Sequence, residues 1–262
     1  MKKHLVSFAT AEFRDSQRKL IKSAKAFGID NVFSYTGRKI RKTAFYAAHK
    51  QILDCERGAG YWLWKPYCIL DAMSRVNEGD IILYADAGAE VIADLSPLFD
   101  LCVRQNGIVL FRAHGHLNRL WIKRDCFVLM NCDCEKYWNA EQVSAGYGFF
   151  LKNDRVKIFL QEWLNYACNP AIITDAPNVA GLPDLPEFKD HRHDQAILSL
   201  LAAKHDVPVF RNPSQWGEPY KEDRRYMKNG ILNSPYDTVF NLHRTRTKLS
   251  LANRIKSLLT LQ

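Results

Sequence analysis

The chain has 262 residues, 47% hydrophobic and 25% charged, a balance that excludes a disordered polymer and suits one large α/β domain or two small ones. Lys and Arg number 37 against 28 Asp and Glu, a net charge of +9, which favours anionic partners: a phosphorylated small molecule, an anionic membrane surface or nucleic acid. No apolar run approaches the about 18 residues of a membrane span, and the run in "MKKHLVSFAT" is too brief for a signal peptide, so a cytoplasmic protein is expected.

In chain order, "HLVSFAT" (4–10) reads as a first strand. Residues 14–28 follow as a helix with Leu20, Ile21, Ala24 and Phe27 on one face and Gly28 as its stop. "NVFSY" (31–35) is strand-like, 41–53 helical, and 65–76 a helix with Pro66 suited to its first turn. A strand at 81–85, a helix near 95–104 and a strand at 107–113 complete the first half. Apolar strands without clean alternation, interleaved with helices, predict a mostly parallel sheet covered on both faces.

The second half is less regular. A strand is expected at 146–153, an amphipathic helix at 154–168 and another helix at 193–205. Between them, 169–190 carries Pro170, Pro177, Gly181, Pro183 and Pro186, a long loop of the kind that serves as a lid. A strand "VPVF", a loose stretch at 211–236 and a strand at 238–243 follow. The tail 248–262 is a basic amphipathic helix, placed either on an anionic inner membrane, against the domain or against another copy. Seven cysteines, odd in number and mostly in apolar stretches, suit reduced thiols. Cys126, Cys132 and Cys134 match no standard zinc spacing.

The stretch "IILYADAGAEV" (81–91) raises the functional question. An apolar strand ends on Asp86, followed by two very small residues, Ala87 and Gly88. Either Asp86 caps a turn, or it faces a cleft at the carboxyl end of the sheet, where ligands of open α/β folds bind. "GYWLWKP" (60–66) sets Trp64 and Lys65 just before a helix, where Lys65 either holds a phosphate with free helix amides or snorkels to water. Asp194 lies in the first turn of its helix beside His191, Arg192 and His193, as a cap or as a general base or sugar-orienting group.

These stretches resemble the GT-A-fold, nucleotide-sugar-dependent glycosyltransferases. The strand exit resembles their Asp-x-Asp motif, although Gly88 stands where the second carboxylate belongs. "SAGYGFF" (144–150) resembles the Asn-Ala-Gly strand of glycogenin-like and lipopolysaccharide galactosyltransferases, "RHDQAILSLL" (192–201) their Asp-Gln helix start, and "NLHRTRTK" (241–248) their His-x-Gly-x-x-Lys stretch without its glycine. The ordered set, with "WIKRD" (121–125), also looks like bacterial capsule and O-antigen glycosyltransferases, and it spans most of 4–248.

The resemblance implies one GT-A-like catalytic domain over 1–247, with a nucleotide-binding half (1–113) and an acceptor/sugar half (114–247). It implies a divalent cation, Mn2+ or Mg2+, held by Asp86 and His243, although one carboxylate is a thin set for a hard cation. Lys65, Trp64, Arg244 and Arg246 would meet the donor diphosphate, Arg124, Asp125 and Gln195 the donor sugar, and Thr10 the nucleoside. Asp194, with Asp86, would carry the catalysis. The function implied is sugar transfer from a nucleotide-diphosphate donor to a hydroxyl of a surface-glycan or lipid-linked acceptor, by retention or inversion, with the 169–190 loop closing over the acceptor. The competing readings are a noncatalytic relative of the fold and a nucleic-acid-binding protein. The basic residues are dispersed, and no RNA-recognition signature is present.

Overall fold

The computed structural model describes residues 1–223, 225, 227–228, 231–232, 234–243 and 245. Arg244, Arg246 and the expected helix 248–262 lie outside the described residues. The main elements are β1 (Lys3–Ala9), α1 (Arg14–Ala26), β2 (Asn31–Thr36), α2 (Trp64–Met73), β3 (Ile81–Ala85), β4 (Ala89–Val91), α3 (Ser96–Arg104), β5 (Ile108–Leu117), β6 (Glu141–Leu151), α4 (Asp154–Ala167), α5 (His193–Lys204), β7 (Val209–Phe210), β8 (Met227–Lys228), β9 (Ile231–Leu232) and β10 (Phe240–Leu242).

Six strands form one sheet in the order β2-β1-β3-β6-β5-β7. β1 runs parallel to β2 and β3, and β7 parallel to β5, while β6 is antiparallel to both of its neighbours. The sheet is therefore mostly parallel, as expected, with β6 alone reversed. Because β6 sits between β3 and β5, the two halves of the chain are interleaved in a single sheet.

Both faces are covered, which explains the unbroken apolar strands. Leu5, Leu83, Val109 and Phe149 face Leu20, Leu98 and Phe99 of α1 and α3. Their strand neighbours Val6, Ile82, Leu110 and Phe150 face Ile69, Trp163 and Ile197 of α2, α4 and α5, as the two-residue period of a strand requires. α4 begins where Asn153 accepts the Val156 amide proton at 2.8 Å, a side-chain cap.

Three expectations are corrected. The helix expected at 41–53 is two short pieces, Ala44–Ala48 and Lys50–Leu53, broken at His49, whose φ of −121° and ψ of 25° are not helical. The strand expected at 146–153 starts earlier, since β6 pairs with β5 from Glu141 onward. The loop 169–190 is not a free lid: Ile172 and Ile173 are buried in the core, and hydrogen bonds described below pin its middle.

A second ladder shapes the site. β4 pairs antiparallel with β10, Ala89 opposite Leu242, and the His243 amide donates to the Gly88 carbonyl at 3.0 Å. Residues more than 150 positions apart in sequence are thereby fastened to the turn that follows β3.

Candidate active site

At the carboxyl end of β3 the Asp86 amide donates to the Gly146 carbonyl at 2.8 Å, and the Ala89 amide donates to the Asp86 carbonyl at 3.0 Å. These bonds close a tight turn over Asp86, Ala87 and Gly88. The Asp86 side chain is 42% exposed and accepts the Tyr84 hydroxyl at 2.5 Å on Oδ1. Tyr84 and Asp86 share a strand face because they are two residues apart.

Lys65 reaches this turn from below. Its side chain is 3% exposed, with Nζ 2.7 Å from Asp194 Oδ2 and 3.6 Å from Asp86 Oδ1, and it donates to the Ala145 carbonyl at 2.9 Å. An ammonium has three protons, and three protein oxygens surround this one. Burial pulls the Lys65 pKa down, but Asp194 and Asp86 outweigh it and the group stays above its ordinary value. Burial pushes Asp194 up to about 6, against the pull of Lys65. Burial, reinforced by Asp86, likewise raises the Tyr84 hydroxyl.

The chain entering α2 explains how Lys65 is aimed. Gly58, Ala59, Gly60, Tyr61 and Trp62 have φ of 60°, 52°, 97°, 51° and 59°, a left-handed turn that costs about 1–2 kcal/mol at each non-glycine residue. A Cβ on Gly60 would lie 2.6 Å from the Leu53 Cα, so only glycine fits there. His193, next to Asp194 in sequence, also holds a positive φ of 50°. Its ring stacks on Trp62 at 5.5 Å and donates from Nδ1 to the Ile173 carbonyl at 2.8 Å. Backbone strain of this kind persists where the surroundings over-determine it, commonly at functional sites.

Several of the expected site residues meet at one point: Asp86, Lys65, Asp194 and the 144–150 strand. Gln195 joins them, donating to Gln142 Oε1 at 2.6 Å and accepting the Ala145 amide at 3.5 Å. His243 is brought to the Gly88 turn by the β4–β10 ladder. Thr10 is half-buried at the carboxyl end of β1, one strand from Asp86.

The remaining expected site residues lie as follows. Trp64 is a core residue: its indole stacks on Phe8 at 3.9 Å and its Nε1 donates to the Gly58 carbonyl at 3.0 Å. Lys65 faces inward, with its ammonium against two carboxylates. Asp125 is fully buried and accepts the Val179 and Ala180 amide protons at 2.7 and 3.0 Å. It anchors the loop that was expected to move. Arg124 pairs with Asp133 at 3.0 Å and stacks on Trp138, while its amide donates to Asp184 at 2.6 Å. The groups beside Asp194 have partners of their own. Burial holds His191 well below its ordinary pKa, its ring accepting the Lys123 amide and donating to the Ile172 carbonyl, and Arg192 stacks on Trp121.

Tyr84, Gln142 and the Ala145 carbonyl were missed. Tyr84 was within reach of the sequence, since it shares a face with Asp86 on a recognised strand. Gln142 and Ala145 were not, because they meet the centre only through the reversed strand β6.

The residues present do not fit the implied divalent cation. Among the described residues no group of three or more His, Cys, Asp or Glu is placed to hold a metal ion. Asp86 Oδ1 is taken by Tyr84 and faces the Lys65 ammonium. His243 Nδ1 accepts the Thr245 amide proton at 3.2 Å. The same nitrogen lies 3.0 Å from the Thr245 hydroxyl, and Nε2 is buried. Burial lowers the His243 pKa, with Lys19 adding to the effect, which favours the neutral form.

No family model matches the chain, and no curated protein matches it in sequence. Similar solved structures include mouse xyloside xylosyltransferase 1 in its apo form, 12% identical, with 93% of this chain and 98% of that one covered and a TM-score of 0.48. An active-site mutant of LgtC is 14% identical over 98% and 95% of the two chains, with a TM-score of 0.46. A glycosyltransferase involved in glycosylation of the major capsid of PBCV-1 is 12% identical over 98% and 99%, with a TM-score of 0.43.

Proposed function

We propose that this chain is a nucleotide-sugar-dependent glycosyltransferase that moves a sugar from a nucleoside diphosphate to a hydroxyl of a surface-glycan or lipid-linked acceptor. The observation that carries the reading is the Lys65–Asp86–Asp194 centre at the carboxyl end of β3. A buried ammonium between two carboxylates is costly to assemble, and perturbed titrating groups of this kind cluster at catalytic sites. Its position at the strand ends is where ligands of open α/β sheets bind.

Each residue then has a task. Asp86, the exposed member, is open to solvent at the strand ends and orients the donor. Asp194, with a pKa of about 6, sits close enough to neutrality to accept or share a proton from a reacting hydroxyl. Thr10, at the end of β1, borders the nucleoside. Arg244 and Arg246, which follow β10, meet the diphosphate as it departs; opposing charge at a leaving group is the electrostatic contribution such a transfer most needs. The ordered resemblance of four separate stretches supports the same assignment.

Thermal stability of the intact protein in UDP, GDP, CDP and dTDP tests the donor class, since a ligand that binds only the folded state raises the melting temperature. An increase with one nucleotide names the base, and its sugar conjugate is then the substrate for a transfer assay. Transfer that survives both Asp86→Ala and Asp194→Asn would overturn the reading.

A further inference from the structure

We propose that the Lys65 ammonium stands in the place of the divalent cation, and that this site binds its nucleoside diphosphate ligand without metal. The inference rests on the glycosyltransferase reading and replaces one part of it, the Mn2+ or Mg2+ at Asp86 and His243.

Four observations converge. Asp86 is the one carboxylate of its triplet, with Gly88 where a second is expected. A fixed positive charge already lies 3.6 Å from Asp86 Oδ1 and 2.7 Å from Asp194 Oδ2. The second carboxylate of the centre, Asp194, is buried, with Oδ2 already 2.7 Å from the lysine ammonium. His243, the remaining expected ligand, has Nδ1 occupied by the Thr245 amide proton at 3.2 Å, and its Nε2 is buried with no partner among the described residues.

Electrostatics turns these facts into a function. A divalent cation in such a site neutralises carboxylates and presents positive charge to a diphosphate. Lys65 performs the first task permanently, because its ammonium lies 2.7 Å from Asp194 and 3.6 Å from Asp86 and donates to the Ala145 carbonyl. A dication entering beside it would meet a like charge within a few ångströms and a single free carboxylate oxygen, whereas hard cations require several oxygens. The second task is not performed by Lys65, whose side chain is 3% exposed and enclosed by protein oxygens. Lys65 is thus a positioning residue: it fixes Asp86 and Asp194 and does not touch the substrate.

The experiment uses the full chain in two arms. In the first, Mn2+ alone is titrated into the protein and free Mn2+ is followed by electron paramagnetic resonance. In the second, melting temperature is measured with UDP, GDP, CDP and dTDP, each in EDTA and in Mn2+. The expected result is no stoichiometric uptake of Mn2+ and a nucleotide-induced shift equal in both buffers. Stoichiometric Mn2+ uptake, or a shift that appears only with Mn2+, would overturn the inference. If no nucleotide shifts the melting temperature in either buffer, the glycosyltransferase reading fails, and the Mn2+ titration still decides the metal question. Lys65→Met adds a gain of function: with the ammonium gone, Asp86 and Asp194 become an unpaired carboxylate pair, and Mn2+ should bind at least about tenfold more tightly than to wild type. A folded K65M protein with no such gain would show that the lysine is not what replaces the cation. If K65M does not fold, the two wild-type arms decide the matter by themselves.

Discussion

Lys65→Met removes the charge at the centre while nearly conserving side-chain volume, and its effect should depend on pH in a way that ordinary core damage does not. At an effective dielectric of about 20, charges 2.7 and 3.6 Å apart attract by roughly 6 and 5 kcal/mol. Much of this offsets the desolvation of the ions, and breaking one side of a buried pair costs about 3–5 kcal/mol in practice. The sign follows from Asp194. Its folded pKa of about 6 lies above the ordinary 3.8, so the folded state holds the proton more tightly than the unfolded chain does. Its contribution to stability is therefore greatest below pH 4 and is lost as pH rises towards 6, a change of roughly 3 kcal/mol at 1.36 kcal/mol per pH unit. Without Lys65 the Asp194 pKa moves further up and the loss continues above pH 6. Urea unfolding of both proteins at pH 5 and pH 8 measures this: K65M should lose about 3–5 kcal/mol at pH 8 and clearly less at pH 5. Equal losses at the two pH values, or a loss below about 1 kcal/mol at pH 8, would refute the buried ion-pair account.

Asp86→Ala and Asp194→Asn should each lower transfer by about a hundredfold or more while leaving the circular dichroism spectrum folded. Steady-state transfer with the matched nucleotide sugar is the measurement. Asp125→Ala leaves the Val179 and Ala180 amide protons without their acceptor, at about 1–3 kcal/mol each if they stay buried. The loop should then open to subtilisin faster than in wild type, with nucleotide affinity unchanged. Gly58→Ala places a Cβ 2.3 Å from the Trp62 ring at a φ of 60°, and calorimetry should show a loss of roughly 2 kcal/mol or more.

Much of the fold was legible because its signals are local. α1 and α4 show a helical apolar stripe, and β1 and β3 are short apolar runs bounded by polar turns. Errors arose where tertiary contact overrode the local pattern. The stretch 41–53 has helical composition, yet the chain turns at His49 to reach the left-handed segment at Gly58–Trp62. The proline-rich 169–190 reads as a mobile loop, yet Asp125 and Lys123 reach it from another part of the chain, Lys123 donating to the Ala176 carbonyl at 2.6 Å. Asp125 could not be separated from a surface ion pair by sequence, because its partners are backbone amides and carry no sequence signature.

By itself the sequence determined the alternation of strands and helices, the exit of an apolar strand on Asp86 and the site residue types that follow in order: Lys65, Asp86, Asp194, His243. Those features are written in periodicity and residue chemistry, which need no partner to be read. Only the tertiary structure decided what the charges face. Whether Lys65 meets a phosphate or two carboxylates depends on the insertion of β6 between β3 and β5 and on the strained turn that aims α2. Whether His243 presents a lone pair or a proton depends on the amide and hydroxyl of Thr245. Direction and burial, rather than identity, set the chemistry of an ionisable side chain.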